Sequence, residues 1–186
     1  MNHMKTTSLL ALGCILLTGC HSPEKTVATP SERLVSEADY ERLKMLSGDW
    51  FLVSGVRLGV ELEPDFEQPF LSYAISSGGH SVVERLFADK PNEMTSVYYL
   101  DSGRLMMDHY CSLGNQPRMI ALADSGDKIT FRLIGVTNLD DENDLHISAH
   151  ALEFNGPNEL TATWGATKEG ISGGGSRYTV RRSATP

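Results

Sequence analysis

The stretch MMDHYCSLGNQPRM, Met106 to Met119, places a histidine, a cysteine, an amide pair and an arginine close together, and His109 and Cys111 are the two whose chemistry matters most. A cysteine works as a nucleophile only as the thiolate, activated by a base and served by oxyanion donors, commonly at a helix N-terminus. Here the alternation of the chain puts Cys111 near the end of a β-strand, two residues beyond His109 and on the same face, with no nucleophile elbow. Leu105 and Met107 share that face. Met106, Asp108, Tyr110 and Ser112 share the other, which the aspartate marks as the solvent side, so His109 and Cys111 are expected to point inward. A buried imidazole needs hydrogen-bond partners, and Glu84 in SVVERLF, alternating with Val82 and Leu86, is the candidate. Such a pair is either structural or orients a ligand. The expectation is that the protein is not an enzyme; the catalytic alternative is a small hydrolase or isomerase using His109 with Glu84 or Cys111.

Metal or haem is the second chemistry these residues suggest. Small β-barrels of the nitrobindin kind hold haem through a histidine, and His80, His109, His146 and His150 lie in the part of the chain expected to fold. His146 and His150 share a strand face with Ser148, Leu152 and Phe154, and the pattern leaves open which face looks inward. Tight paired spacings such as C-x₂-C, typical of four-ligand zinc sites, are absent. No cofactor is expected, with haem as the alternative. Leu113–Pro117 reads as a hairpin loop, with Asn115 and Gln116 serving its backbone or rimming a barrel mouth. Arg118, in register with Ile120 and Leu122, would suit a carboxylate ligand if that face is inward, because a guanidinium offers a fork of charge-assisted donors.

These residues need elements to hold them, and the elements come in a clear order. Residues 1–19 form a secretory signal: one cation, Lys5, then an apolar run from Leu9 to Leu17 that falls well short of the ~20 residues of a membrane span. Its end, Leu17-Thr18-Gly19-Cys20, resembles the lipobox of bacterial lipoproteins, which implies that Cys20 is acylated and becomes the first residue of the mature chain. His21 follows, not the aspartate that favours inner-membrane retention in enterobacterial lipoproteins, so the expected place is the outer membrane, facing the periplasm. Residues 20–30 are a polar, proline-flanked tether. Cys14 leaves with the signal and Cys20 carries lipid, so Cys111 is the only thiol left in the folded part and the fold must rest on a core. The formal charge of −8, with no basic run, makes nucleic acid an unsuitable partner.

Residues 31–186 read as one domain. Ser31 to Leu46 has helical spacing, with Ser31 as cap and Leu34, Val35, Ala38, Leu43 and Leu46 on a stripe. Beyond Gly48 the period becomes two. Strands are expected near 49–55, 70–76, 80–87, 94–100, 104–112, 117–123, 128–136, 145–154, 159–166 and 176–182, separated by turn-rich segments such as DSG, DSGDK and EGISGGG. Asp101-Ser102-Gly103 and Asp124-Ser125-Gly126 suit three-residue hairpin loops. A meander of about ten antiparallel strands removes its edges by closing into an up-and-down barrel.

A helix leading into Gly48-x-Trp50 on the first strand resembles the opening of lipocalins and their calycin relatives, in which the tryptophan packs across the closed end of the barrel. SSGGHSVVERLF, NEMTSVYYLDSGRLMMDHYCSLGNQPRM and GVTNL are similar to a family of small bacterial lipocalin-like proteins of unassigned function. That resemblance implies a lipocalin-like, fatty-acid-binding-protein-like barrel and brings no substrate with it. The function expected is a membrane-anchored, monomeric carrier of a small apolar or amphipathic ligand. Its site would be drawn from Glu84, Met107, His109, Cys111, Arg118, Phe131 and Trp164. A barrel packed shut that serves as an envelope interaction module is the remaining alternative.

Overall fold

The computed structural model describes residues 28–182 apart from 124, 125 and 142, and the side chains of those residues apart from 30–34. The signal, Cys20 and most of the tether lie outside the described residues. One helix, α1 (Pro30–Lys44), precedes eleven strands: β1 (Gly48–Arg57), β2 (Val60–Leu62), β3 (Leu71–Ser76), β4 (Ser81–Leu86), β5 (Met94–Asp101), β6 (Arg104–Tyr110), β7 (Gln116–Ala121), β8 (Lys128–Thr137), β9 (His146–Phe154), β10 (Glu159–Lys168) and β11 (Ile171–Arg181). From β3 onward each strand pairs antiparallel with the next; β1 pairs with β3 on one side and β11 on the other, which closes a ten-stranded barrel. The expected up-and-down barrel with a leading helix is the observed fold. The short β2, not expected from the sequence, forms a hairpin on the outer half of β1.

Closure sorts the side chains. Leu71, Val82, Tyr98, Leu105, Met107, Met119, Ile129, Phe131, Leu152, Leu160 and Val180 alternate inward and are buried in one continuous cluster. The barrel has two ends. At one, α1 lies across the mouth: Tyr40 Oη donates to Gly79 O at 3.1 Å and Arg42 Nη1 to Gly126 O at 2.7 Å. Trp50 is buried there, its indole N–H bonded to Leu46 O at 2.8 Å. The Arg182 guanidinium lies 4.6 Å from the centroid of the Trp50 ring and donates to the carbonyls of Ser47 and Met45, so one cation ties the end of the last strand to the chain that leads into the first. At the opposite end, Phe70, Phe87 and Tyr178 pack ring to ring, with centroids 4.8 to 6.1 Å apart.

Three local details differ from the sequence expectation. Pro30, not Ser31, opens the helix, and the buried face runs through Ser36, Asp39, Tyr40 and Leu43, while Ala38 is exposed. The polar members of that face are supplied with partners, Asp39 by Arg42 at 3.3 Å and Tyr40 by Gly79. Asp101 pairs directly with Arg104, so the β5–β6 loop is the two residues Ser102 and Gly103, at φ 54° and 78°, a turn whose twist suits a hairpin. The glycine-rich segment EGISGGG is not all turn, because β11 starts at Ile171 and runs through it.

Candidate functional site

The inward faces of β3, β4, β5 and β6 carry polar groups at one height. Tyr73 pairs across to Glu84, Glu84 to Ser96, and Ser96 to His109, so four neighbouring strands each contribute one polar side chain to a row inside the barrel. Glu84 and His109 are each 1% exposed. The row arises from sequence alternation: each residue sits two positions from a buried hydrophobe on its own strand, in Leu71-Ser72-Tyr73, Val82-Val83-Glu84 and Met107-Asp108-His109.

Glu84 does not pair with His109, the partner that the sequence suggests for it. The Tyr98 hydroxyl donates to Glu84 Oε2 at 2.7 Å and stands 3.2 Å from His150 Nε2, whereas His109 Nδ1 meets Ser96 Oγ at 3.0 Å. The reason is register: Tyr98 lies two residues beyond Ser96, and its long side chain spans the lumen to β9, a reach that pairing rules along adjacent strands do not show. His150 Nδ1 faces the Thr163 carbonyl at 3.1 Å, so that nitrogen carries the proton and Nε2 is the acceptor. With Glu84 protonated, its O–H serves Tyr98 and the Tyr98 O–H serves His150, which satisfies the chain with no net charge. With Glu84 ionised, the single Tyr98 proton turns to the carboxylate.

Burial sets the charge states. It raises the Glu84 carboxyl above the usual carboxylate range, with Tyr98, Tyr73 and Ser96 pulling it partly back. Burial lowers His109 to about 4. Burial also brings His150 down to about 3, opposed by its bond to Thr163 O and assisted by nearby His109. Both imidazoles are therefore neutral at physiological pH. They flank Trp164, His150 stacked on it at 3.8 Å between centroids and His109 tilted at 4.7 Å, with Phe131 5.6 Å beyond His150.

Four buried polar atoms in this region have no hydrogen-bond partner: Tyr73 Oη, Glu84 Oε1, His109 Nε2 and Trp164 Nε1. The Tyr73 hydroxyl and the Glu84 carboxyl are a donor and an acceptor too far apart for a full hydrogen bond but close enough for the hydroxyl to pull the carboxyl's pKa down, while His109 Nε2 and Trp164 Nε1 have no such neighbour. An unsatisfied buried group costs about 1–3 kcal/mol, so one stretched pair and two unpartnered atoms around one volume are a concentrated expense.

The expected site residues divide. Glu84, Met107, His109, Phe131 and Trp164 all face the lumen, each at most 4% exposed, so its interior is filled by side chains. Cys111 sits at the edge of that region, partly buried, with Sγ 3.9 Å from Met94 Sδ, and burial raises its thiol pKa, the opposite of an activated nucleophile. Arg118 is not inward. Its side chain is 58% exposed on the outer wall and grips Asp108 by two bonds of 2.7 and 3.1 Å, because Met119, one residue on, takes the inward position. There Arg118 and Asp108 line a shallow external groove of about 550 Å³ with Tyr110, Ile134 and Val136. His150 and His146 both prove to be buried, and His80 is exposed. Among the described residues no three His, Cys, Asp or Glu side chains are grouped as a metal would need.

Sequence reasoning missed Tyr73, Ser96 and Tyr98. In TSVYYL both alternating faces carry an aromatic residue, so nothing in the pattern distinguishes Tyr98, which is inside, from Tyr99, whose hydroxyl meets Asp108 Oδ2 on the outside. No protein-family model matches the chain, and comparison with curated proteins finds no match.

Proposed function

We propose that this protein is a lipocalin-like binding protein of the bacterial envelope, held to the membrane through lipid on Cys20, whose barrel interior takes a small, largely apolar ligand with a hydrogen-bonding end. The observation that carries the reading is the group of four unpartnered buried polar atoms on Tyr73, Glu84, His109 and Trp164. A fully packed core gains nothing from such atoms, whereas a ligand that meets them removes their cost. Side chains close the interior in this structure, so a ligand would enter only as the rings of Phe70, Phe87 and Tyr178, at the end not covered by α1, move apart and the lumen side chains shift. Phe87 has φ 57°, an uncommon conformation for a bulky residue and a local source of strain that opening would relieve. No catalytic step is proposed, since burial raises the Cys111 thiol pKa and leaves it unactivated.

Native mass spectrometry of protein purified from membranes tests the binding reading. A co-purifying small mass, displaced when Met107→Trp fills the lumen, is the expected result; bare protein in every preparation, with no change in Trp164 fluorescence on adding small amphiphiles, would sink it. Anchoring is tested separately by Cys20→Ala, which should move the protein from the membrane fraction to the soluble one.

A second reading, a packed barrel acting as an interaction module, is favoured by the closeness of the interior packing and by exposed Tyr110, Leu122 and Ile134 on the outer wall. It predicts that the same ligand trials give nothing.

A further inference from the structure

We propose that the interior site selects a cation: a compact primary amine whose ammonium group pairs with Glu84 and whose apolar body lies against the aromatic wall of Tyr98 and Trp164. This rests on the binding reading above and goes beyond it to the ligand's chemical class.

The charge inventory of the interior is one-sided. Among the described residues no lysine or arginine is buried, Glu84 is the one buried carboxyl in the lumen, and the two imidazoles there are held neutral by burial. Arg118, the guanidinium that would have welcomed a carboxylate, is outside and occupied by Asp108. A fatty acid brought into this lumen would face a carboxyl and no cation, whereas an ammonium group finds acceptors. Glu84 Oε1 and Tyr73 Oη are unpartnered neighbours across the β3–β4 pair, and His109 Nε2 becomes an acceptor when Nδ1–H donates to Ser96 Oγ. Three N–H donors are thus matched by three acceptors on β3, β4 and β6, at one height inside the barrel. The Trp164 N–H is a donor only and suits an oxygen elsewhere on the ligand. The face of Tyr98 attracts positive charge as well as apolar surface, while the Trp164 faces are already flanked by His150 and His109 and only the ring's edge is left for the ligand.

The surroundings of the mouth point the same way. At the end opposite α1, the loop between β2 and β3 carries Glu63, Asp65 and Glu67, and the loop between β8 and β9 carries Asp140, Asp141 and Asp144. Lys90, Lys168 and Arg57, whose guanidinium lies 4.7 Å from the Phe87 ring centroid, are also at this end and offset only part of that charge. A negative rim raises the local concentration of cations and repels carboxylates.

The hydrogen-bond chain supplies a readout. Tyr98 joins Glu84 to His150, and His150 stacks on Trp164, so an ammonium arriving at Glu84 should perturb indole emission.

Three probes with one tail separate the possibilities: hexylamine, hexanol and hexanoate, titrated calorimetrically into the mature protein at pH 7.5. The expected order is hexylamine at least tenfold tighter than hexanol, with hexanoate weakest. Glu84→Gln, which keeps the side chain's shape, should abolish the preference for amine over alcohol while leaving hexanol binding within twofold. Tyr73→Phe should weaken hexylamine several-fold and keep the order. Unfolding curves of each variant identify any that fails to fold, and Tyr73→Phe still tests the order if Glu84→Gln does. Hexanoate or hexanol binding as tightly as hexylamine, or Glu84→Gln retaining the full amine preference, would overturn the cation assignment alone. Failure of all three probes to bind would overturn it together with the lumen-binding reading.

Discussion

His109 and His150 are two imidazoles held neutral in a close-packed interior, and their depressed pKa values of about 4 and about 3 link folding to pH. The unfolded chain takes up protons near pH 6.5 while the folded barrel resists until well below, so this contribution is present above pH 6.5 and fades as pH falls toward 4 and then 3. For His109 alone it amounts to roughly 3 kcal/mol. Chemical denaturation between pH 7 and pH 4 should therefore show a steep loss of stability, and His109→Gln should give a shallower profile; an unchanged slope would mean that the ring is hydrated. Glu84 works with the opposite sign. Its raised pKa favours the protonated form in the fold, so its stabilising effect is present at low pH and lost as pH rises through the folded value. Glu84→Gln, neutral at every pH, is expected to raise the midpoint of thermal unfolding at pH 8, measured by circular dichroism. A residue that lowers stability at working pH is the kind kept for a function. Of this residue-level picture, Glu84, His109, Met107, Phe131 and Trp164 were legible as inward positions, because a period of two reports the face of a strand. That Glu84 meets Tyr98 and His150, and that Arg118 lies outside, was not legible: cross-lumen contacts join residues as far apart as Tyr98 and His150, and a local pattern carries no term for them.

At the scale of elements, two devices hold the barrel's shape. Gly175 faces Trp164 O so closely that a Cβ there would stand 2.7 Å from it, and the facing position on β10 is Gly165. The two strands approach at a point where neither has a side chain, which explains why a glycine run belongs to a strand here. Gly175→Ala should cost about 1–3 kcal/mol through overpacking against backbone that has little room to shift. Arg182 is the second device. It stacks on Trp50 and bonds to two carbonyls at the end of the helix segment, so Arg182→Ala should destabilise by about 2 kcal/mol, while Arg182→Lys recovers only part because an ammonium cannot stack and fork at once. Urea midpoints of the three variants check both statements. Gly48-x-Trp50 was visible in the sequence; its arginine partner, more than a hundred residues away, could be found only once β11 had closed on β1.

For the whole molecule, one contiguous core runs from Trp50 and Leu43 beneath α1 to Phe70 and Phe87 at the other end. Among the described residues no disulfide divides or staples it, and Cys111 is free. Unfolding should therefore be a single cooperative transition, with far-ultraviolet circular dichroism and tryptophan emission superimposing, since Trp50 and Trp164 report opposite halves of the barrel. Separate transitions would show that the half near Phe87 opens independently. The local pattern of the chain was enough to specify ten strands, a leading helix and closure, because alternation, turn residues and the need to hide sheet edges act over a few residues at a time. Whether the barrel is open or filled, which way Arg118 points and whom Glu84 meets depended on side chains brought together from strands distant in sequence, and packing across a closed barrel exists only once all ten strands are in place.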